Sequence, residues 1–498
     1  MAIEVPKKDD LQRIAKANDF ELSDSEADAI GAMMKPIVAF LDRIDTTPIE
    51  PSASVTKYRE RDAGRRPTGD EDPLNAVVRK ISVKGAASGK LKGKRVAAKD
   101  SVAIAGIPIC GGSHILEGYV PDNDATIVSR MLDEGAEIVA TLVMDDFALS
   151  GDGTTSAHGH VHNPHRTEYC SGGSSCGSGA ALAYDWIDIT IGTDQGGSIR
   201  IPSSWSGVAG IKPTYGLVPY TGVMSIDPSL DHVGPMARNV SDLALTLEVI
   251  AGKDPEDYRQ QEVRVQPYRE ALGKSIAGRK LAILKEGFTH PGAQDDVNAA
   301  VRKAAAQLQR LGATVEEVSI PEHREAWQFL WPIALQGMAS LARTNLEGRH
   351  HGGRYDAALV EFFGAARRKL PVTRAITVKF MLAAGGYLEE RYHGRLYAKA
   401  QNLRAGLRAT YDSMLSKYDA LVMPSTPMKP HRRDERAPYT MVTNTAPFDV
   451  TGHPGLSVPC GMSDGLPIGL MLIGRHFDDA TLLQLGHAYE QSVDWRKA

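Results

Sequence analysis

Short apolar runs alternate with amphipathic segments along most of the chain, and this alternation limits the fold more than any other feature. Runs of about four to eight apolar residues are typical of buried strands, whereas apolar residues with a period of about 3.6 indicate helices. The predicted strands are 95–100, 137–144, 187–192, 281–284, 419–424 and 468–474. The predicted helices between them include 124–135, 241–251, 296–312 and 397–417. We therefore expect an α/β fold with a central mixed, mostly parallel sheet covered by helices on both faces.

The N-terminal segment has the pattern of a small, separate helical unit. Ser23 and Glu26 form a capping box before an apolar stripe that continues at helical spacing to about residue 45. Residues 51–73 are polar, which is typical of a linker. We therefore expect a helical extension and linker over 1–72 and one catalytic domain over 73–498. The stripe must pack against the rest of the chain or against a second copy.

The charge balance indicates a small-molecule partner. Lys and Arg number 57 against 61 Asp and Glu, and no long basic run favours nucleic acid or an anionic membrane. The N-terminus has no apolar core of signal-peptide length, and no apolar stretch is long enough to span a membrane. The cysteines form no CxxC pair, which favours a reduced cytoplasmic location; they are Cys110, Cys170, Cys176 and Cys460.

Two short motifs are similar to a metal site and to a phosphate-binding loop, but neither has the complete pattern. The cluster HGHVHNPH contains four histidines, three of them at alternate positions of a possible strand; they are His158, His160, His162 and His165. Asn163-Pro164 interrupts that strand and no second ligand set follows, so we expect a solvated loop and no metal. The stretch GKLKGKR, residues 89–95, lacks the glycine and the hydroxyl residue of a phosphate-binding loop. We expect no cofactor.

Two serine-rich and glycine-rich stretches carry the chemistry that remains. GSSCG, residues 173–177, matches the nucleophile-elbow pattern around Ser175, but the polar residues before it do not form the buried strand that an elbow requires. Cys176 beside glycine is more typical of packing than of catalysis. In GTDQGGSIRIP, residues 192–202, consecutive glycines before Ser198 allow backbone N–H groups to converge on an oxyanion. These residues favour acyl transfer without naming the base that activates the serine.

Three motifs taken together resemble those of the amidase signature family. They are RVAAKDSVAIAG (95–106), GGSSCGS (172–178) and GTDQGGSIRIPS (192–203). Lys99 precedes Ser174 by 75 residues, and Ser174 precedes Ser198 by 24, which is similar to the family's spacing. The resemblance extends over about residues 73–495 and includes NTAPFDVTGHPGLSVPCG. It implies the amidase signature fold.

The resemblance implies a role for each matched residue. Ser198 would be the nucleophile, Ser174 a bridging serine joined to the preceding residue by a cis peptide, and Lys99 the base. Lys99 accepts a proton only when neutral, so its pKa must be lowered by burial. The oxyanion hole would consist of the backbone amides of Gln195, Gly196, Gly197 and Ser198.

Residues beside these motifs are expected to support the site. Asp194 and Arg200 flank the nucleophile and are predicted to brace its loop as a buried pair. The side chain of Gln195 is a candidate substrate contact. In the variable segment 320–396, Trp327 and Trp331 favour an apolar acyl pocket that accepts aryl groups.

Within the family, KPTYGLVPYTG (212–222) and the N-terminal extension are most similar to bacterial amidases that work beside nitrile hydratases. This likeness implies hydrolysis of aliphatic or aromatic carboxamides to acid and ammonia, and a homodimer. Other members of the subgroup would act as hydrazidases, aryl acylamidases or carbamate hydrolases. A further alternative is the amidotransferase component of a tRNA transamidation complex, although the absence of a basic tail and the helical extension argue against it.

Overall fold

Two helices, α1 (Lys8–Lys16) and α2 (Asp24–Thr46), form the first of two units in the computed structural model, which divides after Ser52. The structure describes residues 3–348, 352–369, 375–435 and 438–497. The predicted capping box is confirmed, because Glu26 N–H donates to Ser23 Oγ and Ser23 N–H donates to Glu26 Oε2. Much of the apolar stripe on α2 is exposed, namely Met33, Ile37, Phe40 and Ile44.

The second unit is organised around one large mixed sheet of twelve strands in the described part of the chain. In chain order these are β1 (Arg61–Arg65), β2 (Val77–Lys84), β3 (Arg95–Lys99), β4 (Glu137–Leu142), β5 (Ile189–Asp194), β6 (Ala209–Lys212), β7 (His232–Ala237), β8 (Lys280–Leu284), β9 (Thr314–Val318), β10 (Ala420–Pro424), β11 (Gly455–Ser463) and β12 (Leu466–Ile473). Their order across the sheet is β1-β2-β4-β3-β5-β7-β6-β11-β12-β10-β8-β9.

Helices cover both faces of this sheet, as predicted. Every residue of β5, β10 and β12 is buried, and successive residues of a strand point to opposite faces. The α-helices of the second unit are α3 (Ala53–Lys57), α4 (Thr126–Asp133), α5 (Cys176–Ala180), α6 (Arg200–Ser206), α7 (Val240–Ile250), α8 (Asp295–Arg310), α9 (His323–Ala326), α10 (Leu330–Arg343), α11 (Ala357–Lys369), α12 (Ile376–Tyr392), α13 (Arg395–Leu415), α14 (Ala446–Thr451) and α15 (Asp479–Ser492). Within the predicted variable segment, residues 349–351 and 370–374 lie outside the described residues.

The α/β class and the mixed sheet are confirmed, but the expected predominance of parallel pairs is wrong. Four of the eleven strand pairings are parallel: β3 with β4, β3 with β5, β8 with β10, and β8 with β9. The other seven are antiparallel. Most of these involve strands that the apolar-run criterion overlooked, such as β7 and β11, because glycine and proline interrupt their sequences HVGPMA and GLSVPCGMS.

The predicted linker belongs largely to the second unit, which begins at Ala53 and not near residue 73. Residues 53–57 form α3 and residues 61–65 form β1, which pairs with β2. Arg61 donates through both terminal nitrogens to the two oxygens of buried Asp124, each at 2.7 Å. This bidentate pair orders a polar segment that composition alone assigns to a linker. None of the described helices combines the length and the apolar character needed to cross a membrane.

Candidate active site

The sheet topology places two motif-bearing segments at one edge. Strands β3 and β5 are parallel neighbours, so their carboxyl ends lie at the same edge of the sheet. Lys99 is the last residue of β3, and residues 195–198 follow directly after β5. Ser174 lies just before α5, which packs against both strands. The fold therefore gathers three segments that are separated by up to 99 positions in sequence.

The Lys99 side chain is fully buried and linked to a motif serine. Its Nζ lies 2.9 Å from Ser174 Oγ and 2.8 Å from Thr193 Oγ1. Burial lowers the pKa of Lys99 to about 7, because the ammonium form loses its hydration. A neutral amine can donate to Thr193 while accepting from Ser174, which is the arrangement that a general base requires. The role of Thr193 was not anticipated, although it lies inside the GTDQGGS motif.

The two predicted catalytic serines differ in their surroundings. Ser174 is fully buried, and its carbonyl accepts a hydrogen bond from Asp145 N–H at 3.2 Å. The Gly173–Ser174 peptide is cis, as the resemblance implied. Ser198 retains 8% exposure, whereas Ser174 retains none. Among the described residues no hydrogen bond joins the two serine hydroxyls, and such contacts often tighten only when substrate binds.

The loop between β5 and α6 offers three of the four predicted oxyanion donors. The N–H groups of Gln195, Gly196 and Ser198 make no hydrogen bond within the part of the chain that the structure describes. The prediction that Gly197 is an oxyanion donor is wrong, because its N–H donates to Asp194 Oδ1 at 2.5 Å and is not free for an oxyanion. The Gly196 carbonyl accepts from Thr445 Oγ1 at 2.6 Å, which fixes the loop. The N–H groups of Gln195, Gly196 and Ser198 therefore remain the candidate oxyanion donors.

The predicted Asp194–Arg200 pair is present and has a third member. Arg200 donates to both oxygens of Asp194 at 3.0 and 3.1 Å, and to Asp449 Oδ2 at 2.7 Å, and all three side chains are fully buried. Burial alone would raise the pKa of Asp194, but the Arg200 charge outweighs it and holds that pKa well below its usual range. Burial and the charge of Asp194 raise the pKa of Asp449. One guanidinium thus fixes the base of the nucleophile loop.

The alternative nucleophiles are sequestered from substrate. Ser175 Oγ donates to Thr193 O at 3.1 Å, and Cys176 Sγ donates to Val143 O at 3.3 Å; both residues are fully buried. Burial raises the pKa of the Cys176 thiol well above its ordinary value, so the thiol stays protonated. The structure therefore gives no support to Ser175 as the nucleophile of an elbow. Cys176 has the buried position of a packing residue.

The Gln195 side chain, predicted as a candidate substrate contact, is instead hydrogen-bonded to other residues of the protein. Its Nε2 donates to Tyr220 Oη at 2.8 Å and to Asp231 Oδ1 at 3.0 Å. Because both amide hydrogens are used, this side chain anchors the loop. Its Oε1 is buried and accepts no hydrogen bond from the described residues.

The predicted pocket tryptophans flank, in sequence, a residue that contacts the nucleophile loop. Leu330 would lie only 3.1 Å from a Cβ placed on Gly196, so the start of α10 packs directly over the oxyanion loop. Trp327 and Trp331 flank Leu330 in sequence and meet edge to face, with ring centroids 6.5 Å apart. Trp327 also stacks on Tyr439 at 5.7 Å. Trp327, Trp331 and Tyr439 thus form one aromatic wall, and Leu330, which lies between the two tryptophans in sequence, contacts the loop.

The histidine-rich loop does not form a metal site of its own. In the described ranges, no three of His158, His160, His162 and His165 approach within coordinating distance of one another. His158 instead receives a hydrogen bond from Arg66 at Nδ1, and His165 contacts the Ser206 carbonyl. His158 and His165 are thus held by different neighbours.

Comparison with known proteins agrees with this geometry. The chain matches the Amidase family over residues 75–483, a range that includes all three motifs. It belongs to this family, the amidase signature family. An enantioselective amidase of Rhodococcus rhodochrous is 41% identical over 442 residues, which cover 86% of this chain and 85% of that protein.

Amidotransferase relatives are similarly close. A glutamyl-tRNA(Gln) amidotransferase subunit of Synechococcus sp. (strain CC9902) is 38% identical over 466 residues, covering 91% of this chain and 92% of that protein. The crystal structure of the corresponding protein from Thermotoga maritima superposes with a TM-score of 0.73 at 30% identity, covering 85% of this chain and 89% of that one. The chain is therefore an amidase signature enzyme. Its similar relatives include both a hydrolytic amidase and amidotransferases.

Proposed function

We propose that the protein hydrolyses aliphatic and aromatic carboxamides to a carboxylic acid and ammonia through an acyl-enzyme on Ser198. The observation that carries this proposal is the buried Lys99, whose pKa is lowered to about 7 and whose Nζ lies 2.9 Å from Ser174 Oγ. A neutral amine next to a serine in a glycine-rich loop provides both the base and the relay that an activated hydroxyl requires.

The proposed proton transfer begins at the contact between Lys99 and Ser174, and the transfer between Ser174 and Ser198 requires their hydroxyls to approach when substrate binds. Lys99 Nζ takes the Ser174 hydroxyl proton while Ser174 Oγ takes the Ser198 proton, and Ser198 Oγ attacks the amide carbonyl carbon. The resulting oxyanion accepts hydrogen bonds from the free backbone amides of residues 195, 196 and 198. The Lys99 proton returns through Ser174 to the leaving nitrogen, and ammonia departs. Water then repeats the sequence against the ester and releases the acid.

The side chains that lie against the two glycines of the nucleophile loop support simple carboxamides over glutamine as the substrate class. Leu330, Ile201 and Thr445 lie against the glycines of the nucleophile loop, and none of them carries a charge. Free glutamine presents an ammonium and a carboxylate, which require charged partners when they are desolvated. The amidotransferase alternative is favoured only by the similarity to the amidotransferase relatives.

A substrate panel tests the proposal and separates the alternatives. Ammonia release is measured from benzamide, propionamide and glutamine, and amine or hydrazine release from an anilide and a hydrazide. We expect turnover of the simple amides by wild type and loss of turnover in Ser198→Ala, while Ser413→Ala, an exposed serine on α13, serves as the matched control. Glutamine turnover without amide turnover would favour the amidotransferase. Turnover of the anilide or hydrazide alone would change the leaving group and keep the mechanism.

The aromatic wall gives a second readout of the acyl pocket. Trp327→Ala is expected to raise KM for benzamide more than for propionamide, because only the aryl group contacts the indole. Equal changes for the two substrates would place Trp327 outside the pocket.

A homodimer is proposed for the assembly. The exposed apolar side chains of α2, Met33, Ile37, Phe40 and Ile44, form a stripe that a second copy can cover. Analytical ultracentrifugation of wild type and Ile37→Asp tests this assembly, with a shift from dimer to monomer expected in the variant. A monomeric wild type would contradict it.

A further inference from the structure

Three side chains with metal-binding chemistry converge outside the proposed mechanism. Asp152 lies in the loop after β4, Cys170 begins the segment that leads to Ser174, and His431 follows β10. One ligand atom from each of these three side chains lies within 4.8 Å of the others, and Cys170 Sγ lies 3.8 Å from the His431 ring at Nδ1. The sequence did not indicate this cluster, because Cys170 and His431 are 261 positions apart.

The hydrogen bonding of His431 leaves one ring nitrogen as an acceptor. Its Nδ1 lies 2.8 Å from the Arg432 carbonyl, which can only accept, so Nδ1 carries the proton. In the neutral ring Nε2 then presents a lone pair. This Nε2 is buried and has no hydrogen-bond partner in the described part of the chain, and the side chain is only 9% exposed. An imidazole N–H donated to a backbone carbonyl is the usual support of a metal-binding histidine.

The unpartnered nitrogen faces a carboxylate oxygen. Asp152 Oδ2 lies 3.9 Å from His431 Nε2, which is too long for a hydrogen bond. Asp152 Oδ1 is already satisfied by Ser150 Oγ at 2.8 Å and Thr154 Oγ1 at 2.9 Å. The buried, unpartnered His431 Nε2 and a carboxylate oxygen therefore lie opposite one another, and a cation between them would bind both.

The other cysteine-containing cluster, formed by Asp100, Cys110 and His158, has no unpartnered histidine nitrogen. In Asp100, Cys110 and His158, Arg66 donates to His158 Nδ1 at 2.7 Å. The proton of the neutral ring is therefore on Nε2, the nitrogen that faces Cys110 Sγ at 3.2 Å. That nitrogen is a donor, so the second cluster is a hydrogen-bonded chain and a suitable control.

We propose that Asp152, Cys170 and His431 bind one thiophilic divalent cation of the zinc type. The proposed ligands are Asp152 Oδ2, Cys170 Sγ and His431 Nε2, with water as the fourth. Binding requires the Cys170 side chain, whose Sγ lies 3.8 Å from His431 Nδ1, to turn toward Nε2 so that all three ligands reach the usual distances of about 2.0–2.3 Å. The Cys170 thiol transfers its proton to solvent as the metal–sulfur bond forms. Arg432 and Asp434, which follow His431 in sequence, are exposed, so the cluster lies close to the surface. The bound ion ties together three segments, including the one that carries Ser174, independently of the proposed substrate.

Cobalt substitution tests the site directly in the full-length protein. Chelator-treated enzyme is titrated with Co²⁺, and thiolate coordination is read from the near-ultraviolet charge-transfer band, followed by displacement with Zn²⁺. We expect one Co²⁺ per chain, no band in Cys170→Ser, and binding at least about tenfold weaker in His431→Gln and Asp152→Asn. Cys110→Ser and Cys460→Ser are the matched controls and should retain the band.

The readouts distinguish this site from other cysteines. A band that persists in Cys170→Ser, or that disappears in Cys110→Ser, would overturn the proposal, as would the absence of any saturable band in wild type. If Cys170→Ser does not fold, His431→Gln decides by itself, because unchanged Co²⁺ affinity in that variant excludes the site. Zn²⁺ should also raise the Tm of wild type and leave that of His431→Gln unchanged.

Discussion

Replacing Lys99 by arginine tests the central step of the mechanism. Lys99 is fully buried with a pKa lowered to about 7, so its neutral amine form is accessible near neutral pH. Arginine keeps the positive charge but stays protonated at any accessible pH, because its pKa exceeds about 12. The variant therefore lacks a base, and we expect kcat/KM to fall by about 100- to 10,000-fold, the usual contribution of a general base.

The pH dependence of wild type follows from the same pKa. The neutral form of Lys99 is the active one, so kcat/KM should rise with pH and level off above about 7. Below the pKa the neutral fraction falls about tenfold per pH unit, so at pH 5 activity should be about 1% of its plateau. Ammonia release from benzamide between pH 5 and 9 measures this profile in wild type and in Lys99→Arg.

The control is Lys92→Arg, the same substitution at an exposed lysine, which should leave the profile unchanged. The reasoning would be refuted if Lys99→Arg retained activity within tenfold of wild type. A wild-type profile that is flat between pH 5 and 8 would refute it equally, since the lysine would then not be the titrating base.

Three further substitutions probe the surrounding contacts. Ser198→Ala should leave no acyl-enzyme after incubation with a slowly hydrolysed amide, whereas wild type should gain the acyl mass in mass spectrometry; an adduct in the variant would reassign the nucleophile. Arg200→Met removes the guanidinium that is hydrogen-bonded to buried Asp194 and Asp449, with buried Lys212 as a remaining cation that acts on both, and should lower the free energy of unfolding in urea by about 3–5 kcal/mol. A change below about 1 kcal/mol would mean that the pair is not buried as described. Thr193→Val removes the hydrogen-bond acceptor of Lys99 and should lower kcat by about 3- to 10-fold with KM unchanged, and an equal effect on KM would indicate a substrate contact instead.

The fold could be predicted where strands are short apolar runs. All six predicted strands are present, and the four cited helices lie within two residues of their predicted bounds. The antiparallel strands were harder to find, because glycine and proline in β7 and β11 interrupt the apolar pattern while neighbouring strands bury them. The segment 53–65 was predicted as a linker for a related reason: Arg61 is ordered by Asp124, which lies 63 positions away.

The amino-acid sequence by itself therefore identified the candidate site residues and their order along the chain: a lysine at the end of an apolar strand, a serine before a short helix, and a serine after paired glycines. Those features are local, and local patterns determine secondary structure and loop geometry. Tertiary structure decided which groups meet and how much water reaches them. It turned the Gly197 amide toward Asp194, brought Asp449 to Arg200, and removed Lys99 from water. Hydration sets the charge of a lysine, so its competence as a base depends on burial, a property of the folded chain.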